Sequence, residues 1–461
     1  MQQIGQTGIP RFDLAFWLKK SQFFDKGSQY LPNDLTEKGK PLLLTALEAW
    51  KHGLTANDWT GWSYEYLSPD NLVSEPEAYV SDGCLAPARQ AFKALILRGN
   101  DTLTVAGVQK VADYAHAGLP IVISGGTPFN LSGYNVSGSS YVVSKLESIL
   151  DLENVHQVPA ENLSDSLTSI GITPRTEVDA DRIWYTYWRE DERAAKTYVF
   201  IYNDAWDSEL GMGGSSGSIT LETGGVPYFY DAWTGEVNAI TAYEQTDTST
   251  TINMSLAGNQ STIIGFHHNE SSTASANHKG LSSNSSALVP AAVNLTSWSL
   301  TIESWTAPAD IYADQTNSVK TNSTFNITSL QPWNAISDSL FNVSGRGFYT
   351  TTFTWPPSEN SPSTPDSAIL DLGAIINTAR AWVNGHQLPP LDPTHAEADV
   401  SQYLKEGENE VLVVVATTMG NAVRPHWSEL RSSGTLALGP LPPAQEYGLV
   451  SDVLVRPYRS E

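Results

Sequence analysis

The sequence predicts a protein of mixed class, with a doubly wound α/β domain, a β-sandwich and a jelly roll in that order. Up to residue 175, short apolar strands alternate with helical stretches. Between residues 176 and 268, strand patterns follow one another without a helix between them. A Ser/Asn-rich segment at 269–288 reads as a linker, and strand patterns return over 289–461. These ranges are the predicted domains.

The first domain is predicted from alternating strands and helices. The predicted strands are 12–17, 62–67, 92–97, 119–124 and 155–158, and the predicted helices are 38–51, 104–117 and 140–150. Residues 119–124 form a continuous apolar run, which is typical of a strand buried on both faces. Gly118 stands where a helix C-cap glycine belongs. This alternation predicts a parallel sheet of flavodoxin-like or amidotransferase-like type.

The two later domains are predicted from closely spaced strands. Those of the sandwich are 183–188, 198–202, 218–222, 226–231, 251–256 and 261–266. In the last domain, one face of a period-two strand holds Tyr349, Thr351, Phe353 and Trp355, and Thr350, Thr352 and Thr354 alternate with them. Further strands are predicted at 368–372, 379–383 and 410–416. Asn384-Gly385 directly after a strand indicates a hairpin.

The charge balance excludes some partners. The chain has 26 Lys and Arg against 50 Asp and Glu, a formal charge of −24. So acidic a chain repels phosphate backbones and anionic lipids, so we expect neither nucleic acid nor membrane as a partner. The composition fits neutral or weakly charged substrates such as glycans. Solubility alone is the alternative explanation of the charge.

Asparagine sequons predict a secreted, extracellular glycoprotein. The single cysteine, Cys84, allows no intramolecular disulfide, so the cysteines give no such signal. Asn-x-Ser/Thr does. The twelve predicted glycosylation sites are Asn100, Asn130, Asn135, Asn162, Asn253, Asn259, Asn269, Asn284, Asn294, Asn322, Asn326 and Asn342. The N-terminus lacks the features of a signal peptide and opens almost at once on a strand pattern, so we expect a segment to precede Met1.

The α/β domain lacks the common catalytic motifs. Ser124-Gly125-Gly126 follows a predicted strand, where such a domain places a ligand loop, but it is not a nucleophile elbow. A tight turn also requires glycines there. In amidotransferase-like domains a cysteine nucleophile sits at the turn after a strand; here that turn is Gly99-Asn100-Asp101, and Cys84 precedes the strand. We therefore interpret this domain as structural, with oligomerisation through it as one role.

No catalytic residue is assigned. Glycoside hydrolysis usually needs two carboxylates facing each other across the scissile bond. The visible pairs are Glu65 with Asp70 and Glu190 with Asp191. We interpret each of them as part of a solvated surface or turn rather than as a catalytic pair.

The jelly roll carries the candidate ligand-binding residues. Sugars are held by aromatic faces and by planar polar groups, which loops at one end of a β-sandwich can gather. The candidate loops are 355–357, 384–392 and 421–427. The predicted carbohydrate-binding residues are Trp355, His386, Asp392, Asn421, Arg424, His426 and Trp427. The alternative is that the tryptophans in strands, Trp355 and Trp382, fill the core and that Asn384-Gly385 only forms a turn.

A series of short motifs resembles a known family. In the last domain they lie at 345–349, 369–373, 381–385, 399–404, 407–411, 416–418 and 447–449. Upstream they lie at 188–189, 200–203 and 231–236, and in the α/β domain at 64–70 and 118–124. In this order they resemble the C-terminal region of family 106 glycoside hydrolases, the α-L-rhamnosidase-like enzymes and their fungal secreted relatives. The last domain is similar to the galactose-binding-like sugar-binding domain of family 2 type hydrolases.

The resemblance implies inverting hydrolysis of terminal α-L-rhamnose from plant polysaccharides or oligosaccharides, with calcium near the site. In that family the catalytic carboxylates belong to a barrel that precedes the region resembled here. No pattern of eight βα units occurs in this chain. Three interpretations therefore stay open: a rhamnosidase-like hydrolase or its C-terminal accessory half, a non-catalytic carbohydrate-binding protein, and a structural or oligomerising module.

Overall fold

The structure of the protein is a computed structural model. It describes residues 2–17, 61–128, 130–131, 139–160, 163–204, 214–270, 291–306, 318–357, 365–432 and 440–459. The chain divides into two compact units: residues 1–232 with 236–280, and residues 233–235 with 281–461. The class is mixed α/β with β-sheet dominant, as predicted. None of the described helices is long and apolar enough to cross a membrane.

The first unit contains the predicted α/β and sandwich regions. Its elements are α1 (Gln2–Gln6), β1 (Ile9–Arg11), β2 (Leu14–Trp17), β3 (Tyr64–Leu67), α2 (Pro69–Ser74), β4 (Val80–Ser81), β5 (Cys84–Leu85), β6 (Ala94–Arg98), β7 (Thr102–Leu103), α3 (Val105–His116), β8 (Ile121–Ser124), β9 (Asn130–Leu131), α4 (Ser139–Glu147), β10 (Val155–Val158), α5 (Leu163–Ser169), β11 (Thr176–Ala180), β12 (Ile183–Asp191), β13 (Lys196–Asp204), β14 (Ser215–Leu221), β15 (Val226–Tyr230), β16 (Val237–Ala239), β17 (Glu244–Gln245), β18 (Thr250–Leu256) and β19 (Ser261–His267).

The predicted parallel sheet is confirmed. It has the order β10-β8-β6-β2-β3, and each neighbouring pair is parallel. Numbered along the chain, the strands run 2-1-3-4-5, the order of flavodoxin-type sheets. Strands β2, β6 and β8 are fully buried, which explains their continuous apolar sequences.

Helices cover both faces of this sheet, and they bury its two apolar sides. Val108, Val111 and Leu146 of α3 and α4 pack on one face, whereas Leu163 and Leu167 of α5 pack on the other. Thr104 caps α3, because its side-chain oxygen accepts a hydrogen bond from the Gly107 amide at 3.0 Å. The helix predicted at 38–51 lies outside the described residues.

The predicted sandwich pairs two antiparallel sheets, ordered β1-β12-β13-β19-β15-β16 and β11-β14-β18-β17. Trp184, Trp188 and Phe266 lie in the core between them. One element differs from expectation: strand β1, inside the range predicted as α/β, pairs with β12 of the sandwich. The Arg11 guanidinium reinforces this pairing with a 2.6 Å ion pair to Glu190. The boundary at residue 175 therefore does not divide the strands cleanly.

The second unit is a sandwich of antiparallel sheets. Its elements are β20 (Val293–Asn294), β21 (Trp298–Thr306), β22 (Val319–Ile327), α6 (Trp333–Ile336), β23 (Gly345–Trp355), β24 (Ser367–Asp371), β25 (Ile375–Ile376), β26 (Thr378–Val383), β27 (His386–Gln387), β28 (Glu397–Asp399), β29 (Gly407–Ala416), α7 (Gly420–Val423), α8 (Trp427–Ser432), β30 (Gly448–Leu449) and β31 (Leu454–Tyr458). Short 3-10 turns span Asp338–Leu340, Ser401–Tyr403 and Arg424–His426.

Its two larger sheets have the orders β22-β21-β23-β29-β26-β27 and β20-β31-β24-β28. Between them lies one core that includes Trp298, Trp333, Tyr349 and Trp355. The Asn384-Gly385 hairpin is confirmed: both residues have positive φ, 50° and 80°, and they join β26 to β27. The predicted linker 269–288 lies outside the described residues except for its first two.

Candidate functional site

An open depression of about 670 Å³ lies beside the short helices that follow β29. The described residues that line it are Arg424, Pro425, Trp427, Ser428, Arg431, Ser432 and Leu441. Two of the seven predicted binding residues, Arg424 and Trp427, are therefore brought together here. We take this depression as the candidate functional site.

Asn421 connects two chain segments that border the site. It is 2% exposed, and its side-chain amide donates to the carbonyl of Gln445 while its oxygen accepts from the Gln445 amide, both at 2.8 Å. This two-bond clamp ties α7 to the chain at 440–447. Asn421 was predicted to contact ligand, but in this position it has both polar groups occupied by backbone.

The Arg424 guanidinium is fixed at the edge of the depression. Its Nη1 donates to the carbonyl of Pro442, and its Cζ lies 5.6 Å from the centroid of the Phe341 ring. Its Nε is buried and has no hydrogen-bond partner. Anchoring at two points holds the charged group in place before any ligand arrives.

Trp427 begins α8, and Arg431 follows it one helical turn later. Residues four apart lie on the same helix face, so the indole and the second guanidinium stand side by side. Sequence reasoning missed Arg431, Ser428, Ser432 and Leu441. The i, i+4 spacing within Trp427–Ser432 was the signal available for Arg431, whereas Leu441 is brought in only by tertiary folding.

The other predicted binding residues lie away from the depression or take part in local structure. Trp355 is 7% exposed and belongs to the core, which agrees with the core alternative. The imidazole of His386 stacks on Tyr403 with ring centroids 5.5 Å apart. Asp392 closes a turn, since its carboxylate accepts from the amide and hydroxyl of Thr394. His426, beside the depression, lies 3.5 Å from Glu429.

The three predicted loops do not converge. In the register of the large sheet, Trp355 pairs with Gly407 at the start of β29, and Arg346 pairs with Ala416 at its end. Val383, just before the loop at 384–392, pairs with Val411. The loops after β23 and β26 therefore lie toward one end of the sheet, whereas 421–427 follows its other end, roughly 30 Å along a ten-residue strand. The expectation of one loop cluster was wrong.

The carboxylates considered for catalysis are those of Glu65, Asp70, Glu190 and Asp191. Glu190 pairs with Arg11, and Asp191 accepts from the amide of Ala194 in the turn before β13. Burial raises the pKa of Glu65, which lies half-buried on β3. The side chain of Asp70 lies outside the described side chains. The structure therefore leaves the pair of Glu65 with Asp70 untested, and it gives Glu190 and Asp191 separate structural partners.

The loops at the carboxyl edge of the parallel sheet are turns. Gly125 and Gly126 have φ of 73° and 100°, a conformation that favours glycine. The buried Asp101 closes the turn after β6, accepting from the Arg98 amide at 2.7 Å and from its guanidinium at 3.1 Å. Cys84 lies in β5, which precedes β6 in the chain. The turn interpretation of both motifs agrees with this geometry.

The described sequons lie mostly at the surface. Asn259 is half-buried and accepts from the Tyr202 hydroxyl at 2.9 Å. The exposed ones are Asn100, Asn253, Asn269, Asn294, Asn322, Asn326 and Asn342. The remaining four, Asn130, Asn135, Asn162 and Asn284, have side chains outside the described set.

Calcium finds no ready site among the described residues. No group of three or more His, Cys, Asp or Glu side chains there is arranged to hold a metal ion. Calcium prefers six to eight oxygen ligands, several of them carboxylates. The calcium expectation therefore stays a prediction.

Comparison with solved structures shows which known fold this chain is similar to. A solved rhamnosidase from Novosphingobium sp. PP1Y matches 98% of this chain with a TM-score of 0.60 at 16% sequence identity. The match covers 39% of that chain, so this protein spans well under half of its length. An α-L-fucosidase isoenzyme 2 from Paenibacillus thiaminolyticus matches 57% of this chain and 50% of its own, at 10% identity and a TM-score of 0.34, too low to indicate a shared fold. No family model and no curated protein matches the sequence.

The chain thus has the fold of part of a glycoside hydrolase. The predicted glycosidase-like architecture is confirmed at that level. At 16% identity the likeness establishes the fold alone, and membership of family 106, fungal origin and substrate stay predictions.

Proposed function

We propose that this chain is the carbohydrate-facing accessory part of an α-L-rhamnosidase-like glycoside hydrolase that acts on rhamnose-containing plant glycans. The observation that carries the proposal is the fold likeness, over nearly the whole chain, to a protein that is itself a rhamnosidase. The motif order within the sequence supports the same family independently. Because the chain covers 39% of that rhamnosidase, the hydrolytic chemistry belongs in this proposal to sequence outside the matched region.

An accessory role is supported by the carboxylates. Hydrolysis of a glycosidic bond needs an acid and a second carboxylate at a fixed separation across the bond. Glu190 and Asp191 serve local structure, so neither is free to act as a catalytic carboxylate. What the chain does offer is an indole and two guanidinium groups at one open depression, which is a binding arrangement.

Secretion and N-glycosylation form part of the proposal. Seven sequons have exposed asparagines, and N-glycosylation requires exposed asparagines. The acidic net charge of −24 disfavours nucleic acid and anionic membranes as partners of the secreted protein.

Two measurements on the purified 461-residue chain test the function. The first is hydrolysis of an aryl α-L-rhamnoside, for which we expect no turnover above background. The second is calorimetric titration with rhamnose-containing pectin fragments, for which we expect saturable binding. Turnover would show that an active site lies within these residues and would overturn the accessory role.

The binding arm needs a matched control. Trp427→Ala should abolish most of the pectin binding, because it removes the aromatic face of the depression. Trp233→Ala removes another partly exposed indole, between β15 and β16, and should leave binding unchanged. Absence of pectin binding by the unaltered chain would favour the structural or oligomerising interpretation instead.

A further inference from the structure

The depression is a positively charged spot on an acidic molecule. The chain has almost twice as many Asp and Glu as Lys and Arg, 50 against 26. Yet the described lining includes Arg424 and Arg431 and no Asp or Glu. Glu429, the acidic residue of α8, is 80% exposed at its side chain and lies near His426, outside the lining. The local charge is therefore opposite in sign to that of the chain.

The two guanidinium groups differ in availability. Arg424 is held by the Pro442 carbonyl and by the Phe341 ring. Arg431 is exposed, and within the described part of the chain it makes no ion pair or side-chain hydrogen bond. The Arg424 guanidinium is thus held in a fixed position, whereas the Arg431 side chain can move to contact a ligand.

The lining also decides what kind of sugar it suits. Each hydroxyl of a neutral sugar offers a donor as well as acceptors, so a neutral sugar needs acceptors from the protein. Among the described side chains that line the depression, Ser428 and Ser432 are the acceptors, and the cationic groups are donors only. An arrangement rich in donors and positive charge matches a ligand that brings its own negative acceptor.

We propose that this depression binds a carboxylate-bearing sugar, a uronic acid residue of an acidic glycan. Trp427 packs against the C–H face of the sugar ring, and Arg431 together with Arg424 receives the carboxylate through charge-assisted hydrogen bonds. Ser428 and Ser432 accept from the ring hydroxyls. The proposal rests on the proposed carbohydrate-binding function and names the ligand class for the same site.

Calorimetric titration of the full chain with trigalacturonic acid, and with the same trisaccharide after reduction of its carboxyl groups, tests this directly. We expect the uronate to bind about tenfold or more tightly than the reduced sugar, the loss expected when a charged hydrogen-bond partner is removed. Uronate affinity should also fall as salt is raised from 50 to 500 mM.

Arg431→Gln separates this site from general charge effects. It should weaken uronate binding about tenfold and leave binding of the reduced sugar unchanged. Arg380→Gln, which removes an exposed arginine of β26, should alter neither. Unfolding curves of both variants should match the parent, because both side chains are exposed.

The outcomes separate the two proposals. Equal affinity for charged and reduced sugars would overturn the uronate assignment and leave carbohydrate binding standing. Uronate binding that survives both Arg431→Gln and Trp427→Ala would place the ligand elsewhere and overturn the assignment of the site. Binding of neither sugar, together with no binding of pectin fragments, would overturn the proposed function as well.

Discussion

At the residue scale, the buried carboxylate of Asp13 joins three segments of the first unit. It is fully buried, and its oxygens accept from the Ser63 amide and hydroxyl at 2.9 and 2.7 Å. They also accept from the Arg175 amide and guanidinium, both at 3.0 Å. The starts of β2 and β3 and the chain before β11 therefore meet at a single ion pair.

Removing that carboxylate should be costly. We expect Asp13→Ala to lower the free energy of unfolding by about 3–5 kcal/mol, because the mostly buried Arg175 side chain, 13% exposed, would lose its carboxylate partner. Urea denaturation measures the change. Glu77→Ala breaks the solvent-exposed pair with Arg89 and should leave the midpoint almost unchanged. Equal effects of the two substitutions would contradict the importance given to burial.

Gly118 carries a second residue-scale prediction. Its φ is 92°, and no heavy atom lies within 4 Å of a Cβ built on it, so a side chain there meets strain but no clash. Gly118→Val should cost about 1 kcal/mol or more in unfolding free energy. Gly224→Val, equally unobstructed but without a left-handed φ, is the matched control. Indistinguishable unfolding midpoints would sink the cap assignment of Gly118.

Glu303 should make the stability of the second unit depend on pH. Hydrogen bonds donated by the Trp305 indole at 2.7 Å and by the Arg346 guanidinium at 2.8 Å lower the pKa of this carboxyl below its ordinary 4.5. A lowered pKa means that the stabilisation is present above pH 4.5 and is lost as the pH falls through the folded value. Glu303→Gln should therefore be less stable than the parent at pH 7.

The difference between Glu303→Gln and the parent should shrink as the pH falls below 4.5 and vanish once the parent carboxyl is protonated in the folded protein. Thermal midpoints across that range provide the measurement. Glu410→Gln removes an exposed carboxylate of β29 and serves as the control for net charge. A Glu303→Gln deficit that stays constant from pH 7 down to the acid unfolding of the parent would show that the effect is not one of ionisation.

At the element scale, β22 is the most exposed long strand of the second unit. It forms the edge of its sheet, and seven of its nine residues are exposed. Asn322 pairs with Glu303 and Asn326 with Ser299, so both sequons project from the same sheet face. The Thr324 and Thr301 hydroxyls, 3.1 Å apart, lie between them on that face. Unprotected edges of this kind invite pairing with a second copy.

We expect glycans at Asn322 and Asn326 to block such pairing. If β22 paired antiparallel with β22 of a second copy, with Ser323 opposite Ser323, then Lys320 of each copy would lie opposite Asn326 of the other. Like charges would therefore not oppose this pairing. The double variant Asn322→Gln/Asn326→Gln, made in a glycosylating host, should associate at concentrations where the parent is monomeric. Light scattering after size exclusion shows this.

The control for the β22 prediction is Asn342→Gln, which removes an exposed sequon outside any strand. It should leave association unchanged. Mass spectrometry of the parent must also find glycan on Asn322 and Asn326. An unmodified parent that stays monomeric would rule out glycans as the protection.

At the scale of the whole molecule, each unit has its own apolar core. Among the described residues, the buried side chains of the first unit form three clusters and those of the second form one contiguous cluster. Separate cores predict that unfolding of the chain is not two-state. Calorimetry should resolve two transitions, with a total enthalpy larger than either van't Hoff enthalpy.

A core truncation in each unit assigns the transitions. Leu300→Ala, in the second core, should destabilise one transition by about 2–5 kcal/mol, and Ile201→Ala, in the first unit, should destabilise the other by a similar amount. Each substitution should leave the remaining transition in place, because distant sites act independently. A shift of both transitions by either substitution would argue for one cooperative molecule.

The amino-acid sequence determined the kind of each element wherever the hydrophobic period was strong. The strand predicted at 155–158 is β10, and α3 lies within the predicted helix at 104–117, because burial on one or two faces imposes a period that a short window reveals. The turns at Asn384-Gly385 and Gly118 followed from backbone conformations that few residues adopt.

Tertiary structure alone decided the partners. Strand β1 joined the sandwich through pairing with β12, about 180 residues away, and no local pattern records a distant register. The predicted loops fell at opposite ends of one sheet because strand length and direction, not composition, place a strand's ends. Leu441 and Arg424 met at the depression because Asn421 and Pro442 hold two chain segments together, a constraint that exists only once the chain is folded.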